Sequence, residues 1–91
     1  MKLKNYIYNL LFDDQPLMEI STADYYAKEI IEELKHCKIT QKSVEEIYLH
    51  EFKTYNKKRN SYNENNYILT VSVIYNGDFE HQFNIYRKEN K

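Results

Sequence analysis

The chain has 91 residues, a formal net charge of −1 and a mean hydropathy of −0.84, which fits one small domain. The near-neutral balance excludes a strongly basic nucleic-acid binder and a wholesale acidic mimic of nucleic acid. A single glycine rules out a Gly-rich phosphate loop, a single cysteine rules out an internal disulfide, and no run approaches the ~20 apolar residues of a membrane span.

A chain of this size buries only roughly 60–65% of its unfolded surface, so a deep catalytic cleft is hard to build. A surface patch or a pocket shared in an oligomer is the easier route to function. The composition is biased to residues with AT-rich codons, with Lys 11, Asn 10, Ile 9 and Tyr 10. Charge is unevenly spread. Residues 13–51 hold ten acids against four lysines, and residues 52–91 hold seven bases against four acids.

In chain order, Leu3, Tyr6, Ile7, Leu10 and Leu11 recur at helical spacing and predict a short helix over 3–12. The alternation Leu3-Asn5-Ile7 leaves a strand as the competing reading. Asn5 and Asn9 interrupt the apolar run and no small-residue cleavage site follows, so a signal peptide is not expected. Asp13-Asp14-Gln15-Pro16 ends the element, because Pro16 biases Gln15 to an extended state.

The next stretch predicts a helix over about 22–36. Ser21 or Thr22 offers an N-cap and Asp24 places negative charge at the positive helix end. Tyr26, Ala27, Ile30, Ile31 and Leu34 then form one apolar stripe, which Cys37 is expected to close. Glu29, Glu32 and Glu33 face away from it.

Residues 40–56 carry two patterns at once. Ser43-Val44-Glu45-Glu46 has the form of a capping box, and Val44, Ile47, Tyr48, Phe52 and Tyr55 follow at helical spacing. These favour a helix from about 43. The rival is a strand near 48–56 with Tyr48, His50, Phe52 and Thr54 on one face. The Asn-dense run over about 56–66 reads as a loop.

The chain closes with a hairpin. Residues 67–75 are rich in β-branched and aromatic side chains, Asn76-Gly77 is a strong turn signal, and 79–86 alternate apolar and polar. A two-residue loop pairs Tyr75 with Asp78. A three-residue loop pairs Tyr75 with Phe79, Val71 with Phe83 and Leu69 with Ile85. A one-residue slip exchanges every side chain between faces. Asn76-Gly77 chemistry favours the two-residue loop, whereas burial of the larger apolar set favours the three-residue loop or a bulge beside the tight turn. Burial is taken to decide, which predicts an irregular turn around Asn76–Asp78 with Leu69, Val71, Val73, Phe83 and Ile85 against the Tyr26–Leu34 helix.

The expected fold is therefore α+β: two or three N-terminal helices on a small antiparallel sheet that ends in a C-terminal β-hairpin, as a single domain over residues 1–91.

No constellation reads as an active site, and an enzyme is not expected. Zinc sites want about four ligands at recognisable spacing, and here His36-Cys37 is the only adjacent pair, with His50 and His81 elsewhere. No metal or cofactor is expected. Adjacent helical residues point about 100° apart, so His36 is not a base for Cys37. His81 reads as a partly buried, satisfied histidine.

Two surface features remain. One is an acidic face of Glu29, Glu32, Glu33, Glu45 and Glu46. The other is a basic-aromatic loop of Lys53, Tyr55, Lys57, Lys58, Arg59 and Tyr62, whose bases and rings suit phosphates and single-stranded bases. Tyr26, Tyr48 and Tyr75 are assigned to the core. Tyr8, Tyr25, Tyr55, Tyr62 and Tyr86 are assigned to the surface, where tyrosine is a favoured interface residue.

In size and character the chain resembles the small inhibitors that phages and mobile elements direct at host defence complexes, such as anti-CRISPR proteins. The resemblance implies a non-enzymatic protein in the cytoplasm of a bacterial host cell. Its acidic face would block the basic groove of a nucleic-acid-binding complex. A single-stranded nucleic-acid-binding module and an oligomeric structural or interaction protein are the alternatives; no membrane partner is expected.

Overall fold

The computed structural model describes residues 2–55 and 64–90. Two helices, α1 (Leu3–Asp14) and α2 (Ile20–His36), lead through a 3₁₀ turn (Gln41–Ser43) into three strands. These are β1 (Val44–Tyr55), β2 (Glu64–Tyr75) and β3 (Phe79–Asn90), an antiparallel sheet in the order β1-β2-β3. The α+β expectation holds, with two α-helices before the sheet. Among the described residues no helix is long and apolar enough to cross a membrane. Most of the loop read over 56–66 lies outside the described residues, and 64–66 belong to β2.

The helix expected from about 43 is a strand. Ser43 does not cap; its hydroxyl donates to the Thr40 carbonyl at 2.7 Å. From Val44 the chain pairs with β2, with a bulge at Glu45, so that Ile47 faces Val73 and Leu49 faces Val71. Each strand has 12 residues and spans about 40 Å, close to the 45 Å length of the molecule. β2 would be left as an unpaired edge if 44–55 coiled into a helix. Long-range pairing therefore overrides a local capping pattern.

The hairpin takes the three-residue loop. Tyr75 pairs with Phe79, Val71 with Phe83 and Leu69 with Ile85. Asn76 and Gly77 both have positive φ, 51° and 87°, as the turn demands. Leu69, Val71, Val73 and Ile85 are buried and Phe83 is half-buried beside them.

One sheet face is covered by both helices. Ile7 and Leu11 of α1 and Ala23, Tyr26, Ala27, Ile30 and Leu34 of α2 form one core with Ile39, Ile47, Leu69, Val71, Val73 and Ile85. α2 begins two residues before its predicted start. Its N-cap is Glu19, without a side-chain cap bond, so Ser21 and Thr22 lie inside the first turn.

The C-terminus of α2 closes with paired bonds from Ile39 N–H to the Leu34 carbonyl (2.8 Å) and from Lys38 N–H to the Lys35 carbonyl (3.1 Å). This is the Schellman arrangement, and Ile39 packs with Leu34 in the core. Lys38 takes the left-handed position at φ 60°.

A polar cluster crosses the layer between helices and sheet. Tyr26 Oη donates to Glu51 Oε2 and accepts from Arg87 Nε at 3.0 Å. Gln15 Nε2 donates to Glu51 Oε1 at 2.7 Å. The Glu51 side chain is only 6% exposed, and the Arg87 guanidinium lies 3.7 Å from it and stacks on Tyr67 at 4.2 Å. Burial, then the hydrogen bond to Glu51, push the Tyr26 phenol well above its ordinary pKa.

Lys38→Gly relieves a left-handed L-residue, offset in part by the freer unfolded chain, and should raise unfolding stability by about 0.5–1 kcal/mol in urea titrations. Because the Tyr26 pKa is raised on folding, its contribution is complete below the unfolded value near 10 and is lost as pH rises beyond it. Stability measured across that range should fall less steeply in Tyr26→Phe than in the parent chain, although the variant starts about 1–3 kcal/mol lower for the lost donor to Glu51.

Candidate functional site: the uncovered face of the sheet

Side chains alternate along each strand, so the residues not turned to the helices form a second face. β1 contributes Glu46, Tyr48, His50, Phe52 and Thr54. β2 contributes Asn66, Ile68, Thr70, Ser72 and Ile74. β3 contributes Glu80, Gln82, Asn84, Tyr86 and Lys88. Among the described residues no element packs against this face.

Register places three apolar residues side by side across it: Phe52 opposite Ile68, and Ile68 opposite Tyr86. Phe52 is 40% exposed and Tyr86 66% exposed. His50 extends the row, its ring 5.9 Å from that of Phe52. Tyr48 lies further along the same strand, 57% exposed, with its hydroxyl donating to Glu46 Oε2. That hydrogen bond, and the negative charge behind it, raise the Tyr48 phenol pKa. The assignment of Tyr48 to the core is therefore corrected: it stands on the bare face because Ile47 takes the inward position.

The middle of the face is neutral and polar, with Thr70, Ser72, Gln82 and Asn84 between the aromatic row and an acidic end at Glu46 and Glu80. Lys88 lies beyond the aromatic row. A shallow cavity of about 360 Å³ opens there, lined by Thr54, Asn66, Ile68, Tyr86 and Lys88 with Tyr67 and Arg87.

The sequence-predicted acidic face is distributed over several surfaces. Glu29 and Glu32 lie on the outer side of α2. Glu33 lies at the flank of α2 and contacts His81 of β3. Glu45 occupies the β1 bulge near Leu3 and Tyr6 of α1, and Glu46 belongs to the uncovered face. Once residues 44–55 form a strand, Glu45 and Glu46 cannot continue a helical acidic stripe.

Of the basic-aromatic set, Lys53 sits on the helix-side face near the end of β1, with Nζ 6.0 Å from the Tyr67 ring. Tyr55 ends β1, its side chain outside the described residues. Lys57, Lys58, Arg59 and Tyr62 lie outside the described residues.

A second cluster joins α2 to β3. His81 Nε2 is 2.8 Å from Glu33 Oε2 and 3.4 Å from Cys37 Sγ. Cys37 is exposed, so it does not close the apolar stripe of α2. The hydrogen bond from His81 holds the Glu33 carboxyl below the usual carboxylate range. Desolvation and the neighbouring Glu33 carboxylate push the Cys37 thiol up. A raised thiol whose histidine nitrogen is already engaged by a carboxylate is not an activated nucleophile.

No local spacing joins Cys37 to His81, 44 positions apart, so the sequence carries no signal for their contact. Nor does it mark the bare face as a site, apart from the alternation Tyr48-His50-Phe52-Thr54 of the strand reading.

The chain matches no family model, no curated protein and no solved structure. The uncovered face therefore has to be read from its own chemistry. Tyr86 is 66% exposed on this face, so Tyr86→Ser should change unfolding stability by less than about 1 kcal/mol, the scale of one cross-strand pair. Chemical denaturation of the variant checks this.

Proposed function

We propose that this chain is a small non-enzymatic protein-binding module that takes its partner on the uncovered face of the sheet. The observation that carries the reading is the exposed cross-strand row Phe52–Ile68–Tyr86, extended by His50 and Tyr48. Aromatic anchors with neutral polar neighbours have the composition of a protein interface core. Tyrosine and phenylalanine bring large contact area with little rotamer entropy. A three-stranded sheet braced by helices on the other side presents them rigidly, which lowers the ordering cost of binding.

The narrower reading, an inhibitor that blocks the basic groove of a nucleic-acid-binding complex, rests on acidic residues. Glu29 and Glu32 on the outer side of α2 support it, and Glu46 and Glu80 add negative charge at one end of the uncovered face. A second reading, single-stranded nucleic acid on the same row, draws on Lys88 two positions beyond Tyr86. Base stacking on aromatics contributes about 1–3 kcal/mol per base.

One set of variants separates these. Partner capture from a host lysate with the full chain, with Phe52→Glu/Tyr86→Glu and with Glu29→Lys/Glu32→Lys should show a protein retained by the parent and the helix variant. The sheet variant should lose it by more than about 30-fold, the scale of an interface hot spot. Loss in the helix variant alone would move the contact to α2 and overturn the sheet-face reading. A gel shift at low salt that the sheet variant abolishes, with no protein captured, would establish the nucleic-acid reading instead.

A further inference from the structure

We propose that Glu33, Cys37 and His81 form a binding site for a divalent transition-metal ion of the zinc class, with one coordination position left open to solvent. The site is on the helix-covered side of the sheet and does not depend on the protein-binding reading above.

The geometry carries the inference. Three different ligand types, a carboxylate oxygen, a thiol sulfur and an imidazole nitrogen, lie within 4.8 Å of one another. Zinc bonds of about 2.0–2.3 Å in a tetrahedron put neighbouring donors about 3.3–3.6 Å apart. The observed separations are 3.4 Å for Cys37 Sγ to His81 Nε2, 3.7 Å for Cys37 Sγ to Glu33 Oε2, and 2.8 Å for His81 Nε2 to Glu33 Oε2. The first falls inside that range, the second lies about 0.1 Å beyond it, and the third widens by about half an ångström when the ion replaces the hydrogen bond.

The donors also converge on one point. Glu33 and Cys37 both approach the same nitrogen, Nε2, whereas a catalytic triad would place them on opposite ring nitrogens. That leaves Nδ1 outside the donor set, as in metal-bound histidines whose second nitrogen is free for an outer partner.

The scaffold holds each ligand independently. Glu33 and Cys37 are four residues apart at the C-terminus of α2, where Cys37 N–H bonds to the Glu33 carbonyl and the Schellman closure follows at once. His81 is fixed by its pairing with Val73 and by its ring stacked 5.4 Å from Phe83. Ligands on regular elements give a preorganised site. A mixed thiolate, imidazole and carboxylate set suits zinc and, as its spectroscopic substitute, cobalt(II). On binding, the Cys37 thiol releases its proton to solvent as the sulfur–metal bond forms.

The test is a cobalt(II) titration of the full chain followed by absorption, then displacement by zinc. The expected result is a thiolate-to-cobalt charge-transfer band that saturates at one ion per chain and is lost when zinc is added. Cys37→Ser should abolish the band. His81→Ala and Glu33→Gln should each weaken binding by about tenfold or more, and His50→Ala, on the opposite face, should leave it unchanged. In the unaltered chain, zinc should also shift the ring resonances of His81 and not those of His50, a readout that needs no variant to fold. No band, or a band of equal affinity in His81→Ala, would overturn the site.

Discussion

Glu51 carries a carboxylate into the layer between the helices and the sheet, where a charge is tolerated only if it is fully partnered. Gln15, Tyr26 and Arg87 supply the partners, from the α1–α2 connection, from α2 and from β3. The group ties every layer of the molecule to one strand position. A one-residue slip of β1 would send Glu51 to the uncovered face and turn Phe52 inward. Arg87 would then face Tyr26 without its counter-charge. The register of β1, and through it the composition of both sheet faces, is constrained by that single buried anion as well as by the apolar pairs Ile47–Val73 and Leu49–Val71.

The two faces of the sheet consequently differ in kind. The inward face is mainly aliphatic along its centre and supports two helices with a shared core. The outward face displays aromatic and neutral polar side chains and has no cover among the described residues. The helices, of 12 and 17 residues, span about 18 and 25 Å, while the strands span about 40 Å. The core therefore ends near Glu51, Leu69 and Ile85. Beyond it the sheet is braced by Arg87 and Lys53 against Tyr67. The aromatic row Phe52–Ile68–Tyr86 sits at this margin, on a rigid strand framework outside the core.

Legibility varied with the range of the interaction. α2 was readable because its apolar stripe repeats within one element and needs no knowledge of its partner. The hairpin register was readable because β2 and β3 are adjacent in sequence, so pairing their apolar positions decides between two loops. Residues 44–55 were not, since Ile47, Tyr48 and Phe52 fit a helix stripe as well as Tyr48, His50 and Phe52 fit a strand face. The Ser43–Glu46 capping pattern favours a helix locally, although the strand forms. Of the candidate site, Tyr86 is legible as a surface residue, whereas the place of Tyr48 depends on whether its segment is helix or strand.

Two helices, the apolar stripe of α2 and a closing hairpin with an irregular turn around Asn76–Asp78 are legible in the residues alone, since each is a property of positions near one another along the chain. That 44–55 form a strand, that the aromatic row lies on a bare face and that Glu33 and Cys37 meet His81 follow from the folded arrangement. One cause underlies all three. Periodicity marks which side of an element is apolar, whereas the partner that covers that side, or fails to, is set by register and packing between segments distant in the chain.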